Sequence, residues 1–572
     1  MEKIDLSLKG ILANASLEPR FSELLDSKGK DFTFLVDIAS EKFKDDLDWW
    51  MSVPASRSPF MGDLYQKYCQ ILLIQEILSG KEYEDLKCVE VDSNGIKKCV
   101  DSLRNNLKVK VKRNKYLFLK SRLRFLLTLS QIIKILIFKL SLHILFKVTK
   151  RRRPIETDSL IIIDTFVFPG YVNFDRYYTD LIQKVPEKYS SKIYFVPTIV
   201  LAGFKEMYSL VKEIRNSSRP FLLKEDLLTI NDIASSFFHY IRIKRLKLPT
   251  MEEGRVDFSH IFKEEISQTK ASSLIIDGFL TYAFFKRCKN IEVKIDSVVD
   301  WWENQPIDKA LHKALADFYP KALSISYLGY APRSSELHLF PSIKELENKV
   351  VPKNIGVIGS GFVEEIKKFN QELNVLPSPA FRFNYLWNDL PPERRKRKFI
   401  LIALPVTLED ALYVMKISIK SLEKFKKGEI KVLIKLHPTM KKNLIDDNLS
   451  TKIPSDWSYS EDPSEDLLSQ SKLLISSISS ICLESIAFSV PLVLIEKPRG
   501  LKFNPIPDEI EQDLWKLCKN EEDVINAIDN FLYRTEEEIK VYDELSLKIR
   551  KKYFEPVDTK NVLNLLGVKE TR

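Results

Sequence analysis

Cysteine is sparse in this sequence and shows no pairing pattern. No two cysteines form a C-x-x-C pair, and none lies near a histidine at the spacing of a zinc site. A disulfide framework is therefore not expected, and the thiols are predicted to be reduced, as they are in the cytoplasm. The first five residues lack the basic-then-apolar pattern of a secretory signal, which predicts the same compartment. The six cysteines are Cys69, Cys88, Cys99, Cys288, Cys482 and Cys518.

Acidic residues are absent between Arg104 and Arg153, where sixteen Lys and Arg residues lie. The whole chain of 572 residues carries a net charge of +10, so everything outside this segment is net acidic. Because the basic charge belongs to one segment, we expect no nucleic-acid partner. Hydrophobic residues make up 44% of the chain and charged residues 29%, which is typical of folded soluble domains and argues against extensive disorder.

The basic segment, residues 107–153, is also strongly apolar in its middle. A membrane-spanning helix needs roughly 20 apolar residues in a row, and here charged residues and a histidine interrupt every such window. On a helix, Lys139, His143 and Lys147 would form one polar stripe opposite a broad apolar face. We predict a helix that lies in the interface of an anionic membrane, with basic residues on both flanks meeting the headgroups. A buried core helix and a true membrane span are the alternatives.

Elsewhere, short β-branched runs alternate with helical patterns, which predicts an α/β protein with parallel sheets and helices on both faces. A chain of this length exceeds one core, and a Pro-rich, charged stretch at 377–398 is typical of a linker. Before the linker, strands are predicted at 31–36, 88–91, 159–163, 192–200, 273–276, 322–327 and 354–358. After it, they are predicted at 399–404, 431–436, 473–475 and 492–495.

The predicted domains follow from this alternation. Residues 1–106 and 154–390 are predicted to form one Rossmann-like domain that is interrupted by the membrane-associating insertion at 107–153. Residues 391–572 are predicted to form a second Rossmann-like domain, facing the first across a cleft. An independent N-terminal domain covering 1–105 is the alternative.

The second predicted domain carries two polar motifs that follow strands. Ligands of open α/β sheets bind beyond the carboxyl ends of the strands, and His437 stands at such an end, just before Pro438. The run 476–480 follows the next predicted strand and opens a helix, where backbone N–H groups and hydroxyls can bind phosphate. Glu484 lies one turn into that helix, where its carboxylate could accept hydrogen bonds from ribose. A structural histidine, a serine helix cap and a solvated acid are the plainer alternatives.

Together these motifs resemble the C-terminal domain of GT-B glycosyltransferases, including bacterial sialyltransferases and capsule polymerases. The matching pattern is Lys-x-His-Pro followed by Ser-Ser-x-Ser-Ser-x-x-x-Glu-x-x-Ala-x-x-x-Pro. Val490 departs from it, because many such enzymes have Gly before the last Pro. The resemblance implies a GT-B-like fold, a nucleotide-sugar co-substrate and no other cofactor. The donor contacts that it implies are His437, Ser476, Ser477, Ser479, Ser480 and Glu484.

A narrower resemblance covers most of the chain. Segments such as Trp302-Glu303-Asn304-Gln305-Pro306 and Asn504-Pro505-Ile506-Pro507 resemble a bacterial surface-carbohydrate biosynthesis family of the O-antigen type. Others are Trp49-Trp50, Ala55-Ser56-Arg57-Ser58, Asp175-Arg176-Tyr177-Tyr178 and Pro379-Ala380-Phe381-Arg382-Phe383. Membership would imply a role in O-antigen or capsule assembly.

Candidates for the acceptor side lie in the first predicted domain. Glu303 could take the proton of an acceptor hydroxyl, which requires hydrogen-bond reach and a raised pKa; a helix-capping role is the alternative. Asp164 and Asp175 are weaker candidates for the base, and Asp175-Arg176 could equally be a structural ion pair. Further candidate contacts to the acceptor or to phosphate are Asn304, Gln305, Arg382 and Asn504.

The sequence thus predicts a metal-independent GT-B glycosyltransferase, peripheral on the inner face of the cytoplasmic membrane, with Glu303 and His437 as catalytic residues. Helix dipoles and side-chain donors would stabilise the departing phosphate in place of a metal ion. The acceptor would be lipid-linked or an oligosaccharide. Alternatives are a CDP-alcohol phosphotransferase of the teichoic-acid type, a nucleotide-sugar epimerase and a non-catalytic membrane-bound scaffold. The phosphotransferase would need a second histidine across the cleft.

Overall fold

The protein is described here from a computed structural model. It describes residues 3–101, 103, 107–112, 115–149, 157–200, 203–388, 397–425, 431–497 and 499–568, with the backbone alone at 82, 115–125 and 388. Part of the predicted linker, 389–396, therefore lies outside the described residues, as do Arg113 and 150–156.

The N-terminal residues build a unit of their own. Three short parallel strands, β1 (Lys3–Asp5), β2 (Cys88–Val91) and β3 (Lys108–Val111), form a separate sheet. The strands within 1–106 therefore do not join the six-stranded sheet of the first Rossmann-like domain, in which the prediction placed them. The apolar core of this N-terminal unit is shared with residues from later in the chain, such as Phe258, Phe262 and Ile275. The helices are α1 (Leu8–Ala13), α2 (Leu17–Ser27), α3 (Gly29–Lys42), α4 (Leu47–Trp50), α5 (Val53–Ser56), α6 (Leu64–Ser79) and α7 (Asn94–Asp101).

Two predicted strands are helical. The run 31–36 lies in α3, where Phe32, Leu35 and Val36 are buried at helical spacing while Phe34 remains 68% exposed. The run 273–276 begins a long helix for the same reason, since its buried residues continue at helical spacing. The β-branched residues therefore led to the wrong prediction of a strand in both places.

The first large sheet has six parallel strands. They are β4 (Leu160–Val167), β5 (Ile193–Ile199), β6 (Ile295–Trp301), β7 (Leu323–Leu328), β8 (Asn354–Val357) and β9 (Asn374–Pro377), in the order β9-β8-β7-β6-β4-β5. A long helix, α8 (Lys115–Val148), precedes β4. The helices that follow are α9 (Glu187–Ser190), α10 (Met207–Asn216), α11 (Lys224–Leu227), α12 (Ile230–Phe237), α13 (His239–Arg242), α14 (Ser259–Ser267), α15 (Ser273–Asn290), α16 (Pro306–Phe318), α17 (Ile343–Glu347), α18 (Val363–Ile366) and α19 (Tyr385–Asn388).

The second large sheet repeats the plan. Its six parallel strands are β10 (Phe399–Ala403), β11 (Lys431–Lys435), β12 (Ser458–Ser460), β13 (Ser471–Ser476), β14 (Leu492–Ile495) and β15 (Trp515–Cys518), in the order β12-β11-β10-β13-β14-β15. Its helices are α20 (Leu408–Leu422), α21 (Lys442–Asp446), α22 (Ser464–Gln470), α23 (Ile481–Ala487) and α24 (Glu521–Leu532). The central strands are apolar throughout, as strands covered on both faces must be.

The chain then returns to the first sheet. Helix α25 (Glu536–Tyr553) passes so close to Gly359 that a Cβ there would lie 2.2 Å from the Tyr553 carbonyl carbon. Helix α26 (Thr559–Leu565) ends against β6, where the Ser297 hydroxyl donates to the Leu566 carbonyl at 3.0 Å. The last helix of the predicted second domain, 391–572, therefore packs on the first sheet.

Each large sheet has one topological switch point, where successive strands are added on opposite sides of the first strand. It lies between β4 and β6 in the first sheet and between β10 and β13 in the second. Crevices for ligands open at such points, outside the carboxyl ends of the strands. Two Rossmann-like halves of this kind confirm the predicted α/β, GT-B-like fold.

Helix α8 packs against the protein along one side. Its polar stripe faces the protein: Lys139 is buried in an ion pair with Asp277 at 2.5 Å, and Lys147 donates to the Asp226 carbonyl at 2.9 Å. The apolar side chains at spacings of seven and four instead point away from the protein. They are Leu126, Ile133, Ile137, Ile144 and Val148, with exposures of 58%, 47%, 51%, 55% and 80%.

Candidate functional site

Loops at the two switch points carry most of the predicted site residues. We call the loops 168–180, 302–305 and 329–336 the first carboxyl edge, and the loops 404–407, 436–441 and 477–480 the second carboxyl edge. The segment 380–388, which follows β9, lies between the two sheets. It bonds to both, through Asn384 to Asp180 at 3.0 Å and through Tyr385 to Glu484 at 2.7 Å.

His437 follows β11 on the second carboxyl edge, as predicted. The backbone N–H of Thr439 donates to its Nδ1 at 3.3 Å, which leaves the ring proton on Nε2. Burial, followed by the nearby positive charge of Arg176, holds the pKa of His437 below its ordinary value. A neutral imidazole with a proton on Nε2 can donate a hydrogen bond to a phosphate oxygen without transferring that proton.

The four predicted serines differ in what they can offer. Ser476 is fully buried and donates to the Ala403 carbonyl at 2.8 Å, so its hydroxyl joins β13 to β10 instead of facing a ligand. The Ser477 hydroxyl is buried and lacks a hydrogen-bond partner in the described part of the chain. Ser479 is half-buried, and Ser480 is exposed at the start of α23. Because α23 has only seven residues, the side chains matter more here than the helix dipole.

Glu484 is buried in α23 and already bonded. The Tyr385 hydroxyl donates to its Oε2 at 2.7 Å. Burial raises the pKa of Glu484, while Tyr385 and the positive charge of Arg382 lower it. A ribose contact would thus have to share this carboxylate with Tyr385, a partner that the sequence did not indicate.

Glu303 follows β6 on the first carboxyl edge and is partly buried. The indole Nε1 of Trp301 donates to its Oε1 at 3.2 Å. Burial raises the pKa of Glu303, and Glu336 raises it further, whereas Arg382 and Arg333 lower it. A carboxyl group with a raised pKa at the end of a strand has the features of a general base.

Arg382 extends from the segment between the two sheets. Its guanidinium lies 5.9 Å from the ring centroids of both Trp301 and Phe383, and it forms no hydrogen bond or ion pair with any residue that the structure describes. Its positive charge acts on Glu303 from the first edge and on Glu484 from the second. Arg382 therefore lies within electrostatic reach of a carboxyl group from each sheet.

The two weaker candidates for the base, Asp175 and Asp164, are both held inside the protein. Asp175 accepts four hydrogen bonds, from Thr165, from the backbone of Tyr177 and Tyr178, and from Arg219 at 2.7 Å, so it is a structural residue and not a free base. It is the partner of Arg219, not of Arg176 as the alternative had it. Asp164, the other weaker candidate, is buried at 3% exposure, and burial raises its pKa well above the ordinary value.

Three further candidates are held by local structure. Asn304 is buried in the left-handed region at φ 50° and donates to the His338 carbonyl at 2.7 Å. The backbone N–H of Gln305 donates to Asp308 at 2.9 Å at the start of α16, so the capping carboxylate is Asp308 and not Glu303. Asn504 accepts from the backbone of Ile506 at 3.0 Å within its own turn.

Asn304 also contacts a buried ion network that the sequence did not predict. The carboxylate of Glu345 pairs with Arg57 and with Lys309, and accepts from Asn304 at 3.2 Å. Arg57 also donates to the carbonyls of Leu337 and Phe340, at 3.1 Å each. Two segments singled out for the O-antigen resemblance, 55–58 and 302–306, are thus joined through one glutamate, and the N-terminal unit is fixed to the first sheet.

One Asp-x-Asp triplet, a pattern known from metal-dependent transferases of another fold, occurs at Asp46-Leu47-Asp48, and the sequence-based expectation took no account of it. Asp46 caps α4, and Asp48 pairs with His239 at 2.8 Å and with Arg242 at 2.6 Å. Both carboxylates are engaged in the N-terminal unit. Within the described ranges, no three His, Cys, Asp or Glu side chains are grouped so that they could hold a metal ion.

No protein-family profile and no curated protein sequence matches the chain. Solved structures do align with it. A UDP-GlcNAc 2-epimerase from Neisseria meningitidis aligns with a TM-score of 0.40 at 13% identity, covering 71% of this chain and 97% of that one. MurG from Acinetobacter baumannii gives 0.37, 12%, 71% and 99%, and a trehalose 6-phosphate synthase from Burkholderia multivorans gives 0.42, 10%, 72% and 95%. Scores in this range describe a distant likeness of shape, so function has to be argued from the residues of this chain.

Proposed function

We propose that this chain is a GT-B glycosyltransferase that moves a sugar from a nucleotide-activated donor to an acceptor at the cytoplasmic face of a bacterial membrane. The observation that carries the proposal is Arg382, which forms no ion pair with a described residue. Its positive charge lowers the pKa of Glu303, beside the first sheet, and of Glu484, beside the second. An anionic donor would supply the missing negative charge. The segments resembling O-antigen-type proteins support a role in surface-polysaccharide assembly, of lipopolysaccharide or capsule.

The chemical step follows from these groups. In a direct displacement, the acceptor hydroxyl oxygen forms a bond to the anomeric carbon while the bond from that carbon to the phosphate oxygen breaks. The nucleotide leaves with the bonding electron pair, and the hydroxyl proton passes to Glu303. His437 donates a hydrogen bond from Nε2 to the departing phosphate, with the Ser477, Ser479 and Ser480 hydroxyls as further donors. No metal ion or other cofactor takes part in this step as proposed.

A phosphotransferase is less well supported. It would need a second histidine facing His437, and the group that acts on His437 from the first edge is Arg176. Among the remaining histidines, His239 pairs with Asp48 and His312 with Asp300, both in buried contacts. An arginine binds phosphate but does not serve as a base, because it stays protonated.

The membrane part of the proposal rests on α8. Over Leu126–Val148 it is long and apolar enough to cross a membrane by length and composition alone, with a mean hydropathy of 1.7. However, Lys139 and His143 are buried against the protein, so one face of the helix is already occupied. We propose that α8 lies on the bilayer surface, with its exposed apolar face among the acyl chains and the flanking Lys and Arg residues at anionic headgroups.

A binding screen tests the enzymatic proposal. Nucleotides and nucleotide sugars are added separately, and the melting temperature is recorded for the wild type, for His437→Ala and for His260→Ala, a control histidine in α14. We expect one nucleotide class to raise the melting temperature of the wild type and of the control, with a smaller rise for His437→Ala. If no nucleotide raises it, the transferase proposal is wrong and a non-catalytic scaffold is favoured.

Vesicle flotation tests the membrane proposal. The double variant Ile137→Asp, Ile144→Asp places two charges on the exposed face of α8, and Ile343→Asp, at a site 45% exposed on α17, is the control. We expect the double variant to lose binding to anionic vesicles and the control to keep it. Retained binding by the double variant would refute the orientation of α8.

A further inference from the structure

Arg176 is a second cation without an acidic partner. Its guanidinium lies among three aromatic rings, at 5.8 Å from Phe168, 5.6 Å from Tyr171 and 5.5 Å from Tyr177. It forms no ion pair with a residue in the described ranges, since the adjacent Asp175 is taken by Arg219. A guanidinium stacked on aromatic rings keeps its N–H groups available in a fixed plane, which suits a phosphate.

The loop that carries Arg176 is built against α8. Leu142 and Phe146 of α8 share one small core with Val167, the last residue of β4, and with Val172 in the loop itself. The same core includes Ile199 at the end of β5 and Met207 at the start of α10. The membrane-facing helix and the first carboxyl edge are therefore rigidly connected through a few side chains.

Exposed aromatic side chains lie on the elements that share this core with α8. Phe204 packs on Phe138 of α8 with ring centroids 5.5 Å apart, yet it remains 52% exposed. Tyr208 in α10 is 62% exposed, and Phe174 and Tyr171 in the loop are 54% and 38% exposed. Tyr171 is also one of the three rings around Arg176.

We propose that Arg176 binds the phosphate headgroup of a lipid-linked acceptor, whose hydrocarbon chain runs along the exposed aromatic residues to the membrane at α8. This inference rests on the proposed function and narrows the acceptor class from lipid-linked or oligosaccharide to a saccharide carried on polyprenyl phosphate or diphosphate, whose sugar supplies the reacting hydroxyl. The positive charge of Arg176 is felt at His437 on the opposite edge, so a headgroup held there would lie beside the departing donor phosphate.

The donor phosphate is the other source of negative charge at this place. The donor contacts proposed above, His437 and Ser477 to Ser480, all belong to the second sheet, whereas Arg176 belongs to the loop packed on α8. A donor role predicts that removal of Arg176 weakens nucleotide binding, and an acceptor role predicts that it weakens lipid-phosphate binding. The two sources can therefore be separated.

The test compares vesicles of phosphatidylcholine that contain either a long-chain polyprenyl phosphate or the corresponding polyprenol. Wild-type protein is expected to bind the phosphate-containing vesicles more tightly. Arg176→Gln should lose this preference by about tenfold, because one charged hydrogen-bonding contact is removed, while the nucleotide-induced rise in melting temperature stays unchanged. Arg176→Lys keeps the charge without the planar fork and should show an intermediate preference.

Lys134→Gln is the matched control, since it removes one positive charge from the exposed side of α8, far along the helix from this loop. It should lower the preference for phosphate-containing vesicles less than Arg176→Gln does, because an exposed, screened charge makes no fixed contact with the headgroup. Two results would overturn the inference: an unchanged phosphate preference in Arg176→Gln, or loss of the nucleotide effect in that variant. Absence of any nucleotide effect in the wild type would instead count against the proposed function.

Discussion

The two carboxyl edges share one strand arrangement and differ in how completely their polar groups are bonded. On the first edge, Asp175 accepts four hydrogen bonds and Asp308 accepts the backbone N–H groups of Glu303 and Gln305. On the second edge, His437 bonds only within its own turn, and the Ser477 hydroxyl has no partner among the residues described. The first edge is largely built from internal bonds, and the second has unused donors.

This difference separates positioning from binding. A group whose hydrogen bonds are all made inside the protein holds the backbone in place, and its loss costs stability. Removing a group that still has free hydrogen-bond donors or acceptors costs little stability, and it matters mainly if a ligand binds that group. Three side chains on or beside the first edge are exceptions, because each can still bond a ligand while its neighbours are held by internal hydrogen bonds. They are Glu303, Arg176 and Arg382.

The largest effect is expected for Glu303→Gln. If Glu303 is the base, the variant should lower kcat of sugar transfer by about 100-fold to 10,000-fold. Its melting temperature should not fall, because a neutral amide avoids the burial cost that raises the pKa of this carboxyl group. The measurement is transfer from the nucleotide sugar found in the binding screen, together with thermal unfolding. Near-normal kcat would remove Glu303 from the mechanism and leave its carboxylate only as the hydrogen-bond partner of the Trp301 indole.

Glu345→Ala tests the opposite kind of residue. It leaves Arg57 and Lys309 buried without their counter-charge, and loss of one partner of a buried ion pair costs about 3–5 kcal/mol. Glu347→Ala on the same helix breaks a pair with Lys344 in which both side chains are solvent-exposed, and should cost at most about 1 kcal/mol. Denaturant unfolding of the two variants measures the contrast. Equal losses would mean that the buried network does not hold the N-terminal unit.

The four central strands of the second sheet, β10, β11, β13 and β14, could be predicted from the sequence, because they are short apolar runs bounded by polar turns. The edge strands β12 and β15 were not predicted. The positions of His437 and Glu303 at strand ends followed from the same reasoning. In 31–36 and 273–276 the residue types favoured a strand, but buried positions three and four apart made them helical.

The contacts of the site could not be predicted, because they join distant parts of the chain. Tyr385 and Glu484 are 99 positions apart, Lys139 and Asp277 are 138 apart, and Arg57 and Glu345 are 288 apart. No local pattern records such pairs. The orientation of α8 depends on one of them: the Lys139–Asp277 pair decides that the polar stripe faces the protein and the apolar face does not.

Arg382→Gln should shift the pH dependence of transfer. Arg382 lowers the pKa of Glu303, so removing its charge raises that pKa further above the ordinary value for a glutamate. A general base works when it is deprotonated, and the rising limb of kcat against pH therefore moves to higher pH. The pH profiles of wild type and variant measure this. A shift to lower pH, or none, would show that Arg382 does not act on the base.

The smallest effect is expected at His437 in Arg176→Gln, and it links the two edges directly. Burial is the larger cause of the low pKa of His437, and Arg176 is the smaller one. Removing the guanidinium should raise the pKa of His437 only part of the way to its ordinary value. Titration of its ring signals by NMR measures the change, and His260 in α14, whose pKa is lowered mainly by burial, serves as the internal control. An unchanged His437 pKa would mean that the two edges lie further apart in solution, and the headgroup at Arg176 would then lie too far from the departing phosphate for transfer.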